Sequence, residues 1–240
     1  MLKLPPPVRL QKHAALWVAR PLGGKDTQTD AHRELGYPVY HSGDALGKFA
    51  AEHRHDAVGT ARHNGDLASN DLALRLTKIW VIRNLGSPLI HLNGMPRSTD
   101  QLVLLIPFLI QRGFTPMVIW FTTPEEVCLQ RPVRPGRELE DTLATRAKRM
   151  RTYEEKTAPM LAMMQQDFGI RPENGNLLLL DNTHLTKEQT AARILTFLGV
   201  SLMARNLFPS SEHSSEAAVR SSGNKWSIFP EIPNHSLAPA

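Results

Sequence analysis

The 240-residue chain contains one cysteine, Cys128. That excludes an intramolecular disulfide and any zinc site built from several cysteines, and it suits a reducing, cytoplasmic compartment. Long apolar runs are also missing. Nothing approaches the roughly eighteen consecutive apolar residues that a membrane-spanning helix needs, and the leader MLKLPPPVRLQKH is too polar for a signal-peptide core. A soluble protein with no membrane partner is the expectation. Aromatic residues make up 6% of the chain and are not interleaved with its arginines in a dense basic block. The cation excess, formally +5 with a pI near 9.6, therefore points less to nucleic acid than to small anionic ligands such as nucleotides.

What is present is enough apolar residue, 41%, for one sizeable core. Short apolar runs bounded by turn residues read as buried strands at Ala14–Val18, Tyr37–Tyr40, Pro88–Leu92, Pro116–Phe121 and Leu177–Leu180. Between them, helical spacing is expected over Thr27–Leu35, about Asp71–Asn84, Thr99–Arg112, Pro124–Gln130, about Glu138–Gln166 and Lys187–Leu198. His41–Asp44 reads as a turn, followed by a further helix in ALGKFAAEHR. Strands that do not alternate polar with apolar, separated by helices, specify an α/β fold with a parallel sheet covered on both faces. Ligands of such sheets bind at the carboxyl ends of the strands. That edge carries Gly23–Thr27, Ser42–Asp44, Asn93–Arg97 and Arg131–Arg137. Residues 1–12 read as an N-terminal arm, and the Ser- and Pro-rich segment 200–240 as a disordered tail.

The first of these edge segments, ARPLGGKDT, joins a buried strand to a helix. Gly23, Gly24, Lys25 and Thr27 supply an unobstructed backbone, an ammonium and a hydroxyl, which is the chemistry of a phosphate-cradling loop at a helix N-terminus. The full pattern GxxxxGK[ST] is not met, because Ala19 stands at the first glycine and Asp26 follows the lysine. On its own, a Gly-Gly-Lys turn is more often a plain strand-to-helix connection.

PLGGKDTQ, HSGD, GDLASND, NGMPRSTDQ and RMRTYEEKTAPM occur in the order of the corresponding segments of the adenylate kinase family, over about residues 13–199, and the chain resembles that family. The most specific match is Gly94-x-Pro96-Arg97 with Gln101. The resemblance implies a P-loop three-layer sandwich with an inserted nucleoside-monophosphate flap at about 42–84 and a short lid at about 131–138. It implies transfer of the γ-phosphoryl group of ATP, as the Mg2+ complex, to a nucleoside monophosphate, AMP foremost, by a monomer. Pro21, Gly23, Gly24, Lys25, Thr27 and Arg131 would then bind ATP. Ser42, Arg97, Gln101, Arg137 and Arg149 would bind the monophosphate, and Lys25, Arg97, Arg131, Arg134 or Arg137, and Arg149 would meet the charge of the transferring group. Thr27, and Asp44 through water, would attend the metal. For each arginine the competing reading is a solvated helix or loop charge, and for Ser42, Thr27 and Gln101 a helix cap or surface polar group. His41, His91 and His184 read as ordinary polar residues at strand ends, not metal ligands.

The departures bear on rate. Leu22 replaces a loop glycine, and a non-glycine residue in the left-handed region costs about 1 to 2 kcal/mol. Asp26 pointing at phosphate would cost on the order of 3 kcal/mol at about 5 Å and an effective dielectric near 20, a loss above a hundredfold in affinity. Asp26 turned outward, or helping to hold magnesium, avoids that penalty. Asn93 stands where the family has an aspartate, and Gly47 where it has an arginine, with Lys48 beside it as a point charge without the bidentate fork. These changes motivate a second reading, a nucleotide-binding protein with weak or no turnover. A third and weakest reading, nucleic-acid binding, rests on the arginine-rich face and the basic pI.

Overall fold

A computed structural model describes residues 12–53, 69–132 and 141–199. The N-terminal arm, the tail, the centre of the expected flap and most of the expected lid, Arg134 and Arg137 included, lie outside the described residues. Among the described residues five strands form one parallel sheet in the order β2-β3-β1-β4-β5. These are β1 (Lys12–Val18), β2 (Val39–His41), β3 (Leu89–Asn93), β4 (Phe114–Phe121) and β5 (Leu177–Leu180). In the central ladder Ala15 stands opposite His91 on β3 and Met117 on β4, and Trp17 opposite Asn93 and Ile119.

The sheet is buried on both faces, which is why its strands carry no alternation. Ala14, Leu16 and Val18 join Ile90, Leu92, Val118 and Trp120 in one core, beneath α3 (Asn70–Arg83), α4 (Thr99–Gln111) and α7 (Met160–Asp167). Ala15 and Trp17 turn to the other core with Met117, Ile119, Phe121 and Leu180, closed by Ile194 and Leu198 of α8 (Lys187–Phe197) and the residue after it. Helix α1 (Lys25–Glu34) covers this second face, where His32 packs on Trp17. Strands β1 and β3 are neighbours, yet α1 follows β1 onto one face and α4 follows β3 onto the other. Their connections diverge and leave a crevice at the carboxyl edge, the switch point where such sheets hold ligands.

Two elements depart from the sequence expectation. The turn expected at His41–Asp44 is absent, because α2 (Ser42–His53) begins at Ser42, directly after β2. The helix expected over Glu138–Gln166 is, within the described residues, α6 (Leu143–Thr152), one π-helical turn (Tyr153–Thr157) and α7. Ala158 N–H donates to the Tyr153 carbonyl at 2.8 Å, the five-residue spacing of a π-turn, and Pro159 lacks the N–H with which to continue a regular ladder. Helix α5 (Glu125–Gln130) follows β4. No helix among the described residues is long and apolar enough to cross a membrane.

Candidate functional site

The connection from β1 to α1 is shaped by backbone that ordinary residues resist. Leu22 has φ +61° and Gly24 φ +95°. A side chain at Gly24 would also meet Asn182 Nδ2 at 2.8 Å and Arg131 Nη1 at 3.2 Å, so its glycine is required twice over. At Gly23 a Cβ would press on the Arg20 carbonyl at 2.9 Å. Leu22 accepts the left-handed geometry at the cost foreseen for it and offers its carbonyl to Arg131 Nη1 at 3.1 Å.

Arg131, at the end of α5, is therefore seated on the loop. Its Nη2 donates to Asn182 Oδ1 at 2.9 Å, and Asn182 Nδ2 donates to the Gly23 carbonyl at 3.2 Å. Thr123 Oγ1 completes the lock by donating to Asn182 Oδ1 at 2.6 Å. Asn182 and Thr123, just beyond the ends of β5 and β4, are site residues that the sequence reading missed. A small polar residue two positions past an apolar strand was the signal available. Arg20 was missed too: it donates to Glu154 Oε1 at 2.9 Å and to the Thr123 carbonyl at 3.1 Å, and lies over the Tyr153 ring.

On the loop itself, Lys25 Nζ lies 3.2 Å from Asp26 Oδ1. Asn93 Nδ2, at the end of β3, is 2.8 Å from the same oxygen, 2.8 Å from Thr29 Oγ1 and 3.1 Å from His41 Nδ1. Burial alone would raise the Asp26 carboxyl pKa. The Lys25 charge and the hydrogen bonds from Asn93 and Lys25 outweigh it and hold the group well below the usual carboxylate range, so Asp26 is ionised. Burial, with the Arg33 charge, pushes His41 down against the opposing pull of Asp26, Asp30 and Asp44. Thr27 and Asp44 are exposed, in the first turns of α1 and α2. Pro21 lies half-buried at the loop's start.

Across the crevice, Gly94 has φ +79° and a Cβ there would strike Ser42 Oγ at 2.5 Å and Arg97 Nη2 at 2.8 Å. Ser42, buried at the head of α2, and the Arg97 guanidinium thus meet over a bare backbone. Arg97 Nε donates to the Gly94 carbonyl at 3.0 Å. Its own N–H donates to Gln101 Oε1 at 2.7 Å, and its carbonyl accepts from Thr157 Oγ1 at 2.8 Å. Gln101 Nε2 donates to Asn70 Oδ1 at 3.0 Å, so this buried amide links α4 to α3 while ordering Arg97. Arg149 pairs with Asp141, 3.0 Å away, which also pairs with Arg146 at 3.3 Å.

His91, expected near a strand end, is fully buried in mid-β3, where Trp17 Nε1 donates to its Nδ1 at 3.1 Å. Among the described residues no three His, Cys, Asp or Glu side chains gather as a metal site. The donors beside the loop are oxygen atoms, the ionised Asp26 carboxylate and the Thr27 hydroxyl. Such hard donors suit magnesium that is held mostly by a ligand's phosphates.

No family model matches the chain. It is 30% identical to "Adenylate kinase 1" of Synechocystis sp. over 171 residues, 67% of this chain and 88% of that protein. It is 32% identical to "Adenylate kinase" of Mycobacterium bovis and of Mycobacterium tuberculosis over 150 residues, 61% of this chain and 82% of theirs.

Proposed function

The chain belongs to the adenylate kinase family, and from that membership we propose that it is an ATP-dependent nucleoside monophosphate kinase, with AMP as the expected acceptor. The observation that carries this reading is the crevice between β1 and β3. One wall is the left-handed loop of Leu22 and Gly24 with Lys25, and the other is Arg97, fixed through Gly94, Gln101 and Thr157.

In this reading Pro21, Gly23, Gly24, Lys25, Thr27 and Arg131 bind the triphosphate. The loop N–H groups and the α1 dipole meet its charge. Arg97 grips the acceptor phosphate beside Ser42, while Gln101 positions Arg97 and faces the acceptor base. Magnesium bound with ATP would neutralise β- and γ-phosphate charge, with Thr27 and, through water, Asp44 orienting its shell. Lys25, Arg97, Arg131, Arg137 and Arg149 meet the charge that spreads over the transferring group. Residues 42–84 form the acceptor flap and 131–138 the lid, whose closure excludes water and brings Arg149 and Arg137 inward. Proton movement is not demanded of any side chain; positioning and electrostatics do the catalytic work.

The test is a coupled assay of the full chain with MgATP and, in turn, AMP, CMP, UMP and GMP. AMP is expected to give the highest kcat/KM, and no ATP-dependent product with any acceptor overturns the reading. The Lys25–Asp26 ion pair favours the second reading, binding with little turnover, because a phosphate must compete with a carboxylate for the loop ammonium. Calorimetric ATP binding without transfer would select it.

A further inference from the structure

Helix α4 is apolar on both of its sides. Its inner residues Leu102, Leu105, Ile106 and Leu109 are buried in the core beneath the sheet face it covers. A helix packed by one such stripe ordinarily turns charged and polar residues to water on the opposite arc. Here that arc is Val103, Leu104, Pro107, Ile110 and Gln111, spaced at three, four and seven residues and all exposed. Val103 is 43% exposed, Leu104 52% and Ile110 57%, a continuous row and not the single apolar residues that any surface scatters. The charge around the row has one sign. Residues 72–84 on α3 and 101–112 on α4 include no acid, while Arg75, Lys78, Arg83 and Arg112 are all basic. Two of these cations share a half-buried ring at the edge of the arc: Lys78 Nζ lies 5.4 Å and the Arg112 guanidinium 5.3 Å from the centre of Phe108.

An apolar row edged only by cations discriminates between occupants. A second copy of the chain would lay the row on itself across a two-fold axis and bring like charges together with no acid to answer them. A protein groove would have to match a convex single helix. A lipid interface supplies apolar depth and spread negative charge with no shape to match. We propose that the outer arc of α4 docks the protein on an anionic membrane surface, with Val103, Leu104, Pro107 and Ile110 entering the acyl boundary and Lys78 and Arg112 meeting the headgroups. The sequence expectation of no membrane partner rested on the lack of a spanning run, which an interfacial contact does not need. Arg112 directly precedes β4, at the amino edge of the sheet, so the crevice at the carboxyl edge stays open to nucleotides. The inference does not depend on the kinase reading.

Co-sedimentation of the full chain with vesicles tests it, using phosphatidylcholine alone and equal parts of phosphatidylcholine and phosphatidylglycerol. At low salt the chain is expected to partition about tenfold more strongly onto the mixed vesicles, a preference that shrinks as salt is raised. In Leu104→Ser/Ile110→Ser, partition onto the mixed vesicles falls by about tenfold or more, because the apolar part of the contact is gone. In Arg112→Glu it falls several-fold. Equal partition onto both compositions, or none onto either, overturns the proposal. So does undiminished binding by Leu104→Ser/Ile110→Ser, which would place the contact elsewhere on the chain. A dimer in solution that the same variant dissociates would give the face to a second copy and overturn it too. Both serines replace exposed side chains, so the variant should melt like wild type; if it does not, Arg112→Glu decides on the same surface, and unchanged binding refutes the inference.

Discussion

Lys25 is largely shielded, and among the described residues its ammonium pairs with the partly exposed carboxylate of Asp26 at 3.2 Å. Lys25→Ala is therefore expected to abolish phosphoryl transfer, with a loss of a hundredfold or more in kcat. Folding stability should change by no more than about 1 kcal/mol, the scale of a partly exposed ion pair. Circular dichroism with the coupled assay checks both halves, and unchanged turnover would remove Lys25 from the site. Asn182 is different in kind. It is buried, accepts from Thr123 and Arg131 and donates to Gly23, so Asn182→Ala strands several partners at once. A loss of about 1 to 3 kcal/mol in urea unfolding is expected, together with weaker ATP binding. Gly23 and Arg131 were legible as site residues, but their joining through Asn182 was not, since Asn182 lies 159 residues from Gly23 and a lone asparagine after a strand has no periodic signature. Leu22, by contrast, was legible, because a loop that turns there needs a left-handed residue whatever its side chain.

The strands were the most readable elements, since an apolar run without alternation has few alternatives to a doubly covered sheet. Helix ends were readable where a cap stood in the sequence: Thr186 accepts from Gln189 N–H while Gln189 Oε1 accepts from Thr186 N–H, and Ser98 accepts from Gln101 N–H. The start of α2 was not. Asp44 and Gly43 have turn propensity, yet they lie in the first turn of a helix whose leading residue, Ser42, sits close against Gly94. The π-turn was invisible for a similar reason, as its effect is tertiary. It brings Thr157 to the Arg97 carbonyl and Tyr153 beneath Arg20. Thr157→Val keeps the shape and removes that hydrogen bond. It is expected to raise KM for the monophosphate several-fold, with little change in KM for ATP and about 1 kcal/mol lost in stability. Equal shifts in both KM values would argue against a link between the π-turn and Arg97.

At the scale of the whole molecule, the sheet is clamped on one face by a group of buried rings. The His32 ring lies 4.5 Å from that of His91 and 5.5 Å from that of Trp17. Burial lowers the His32 pKa to about 4, and burial with the neighbouring His32 holds His91 well below its ordinary value. Both are neutral in the folded protein at pH 7. Because the unfolded chain takes up protons near pH 6.5 and the folded one does not, stability is complete above that pH and is lost as pH falls toward 4. His32 alone accounts for roughly 3 kcal/mol over that window. Urea midpoints measured from pH 7 to pH 4.5 should fall accordingly, and His32→Phe should flatten the slope; a slope untouched by that change would place the acid sensitivity elsewhere. The Asn182 lock has a consequence of another sort, for the timing of synthesis. The first loop made cannot take its finished form until nearly the last strand has left the ribosome, because the peg that holds Gly23 and Arg131 comes from residue 182. Nascent chains stalled with residue 182 still in the exit tunnel should not be retained on immobilised ATP, whereas chains stalled some forty residues later should be, so that the nucleotide, for this protein, is a reader of completed translation.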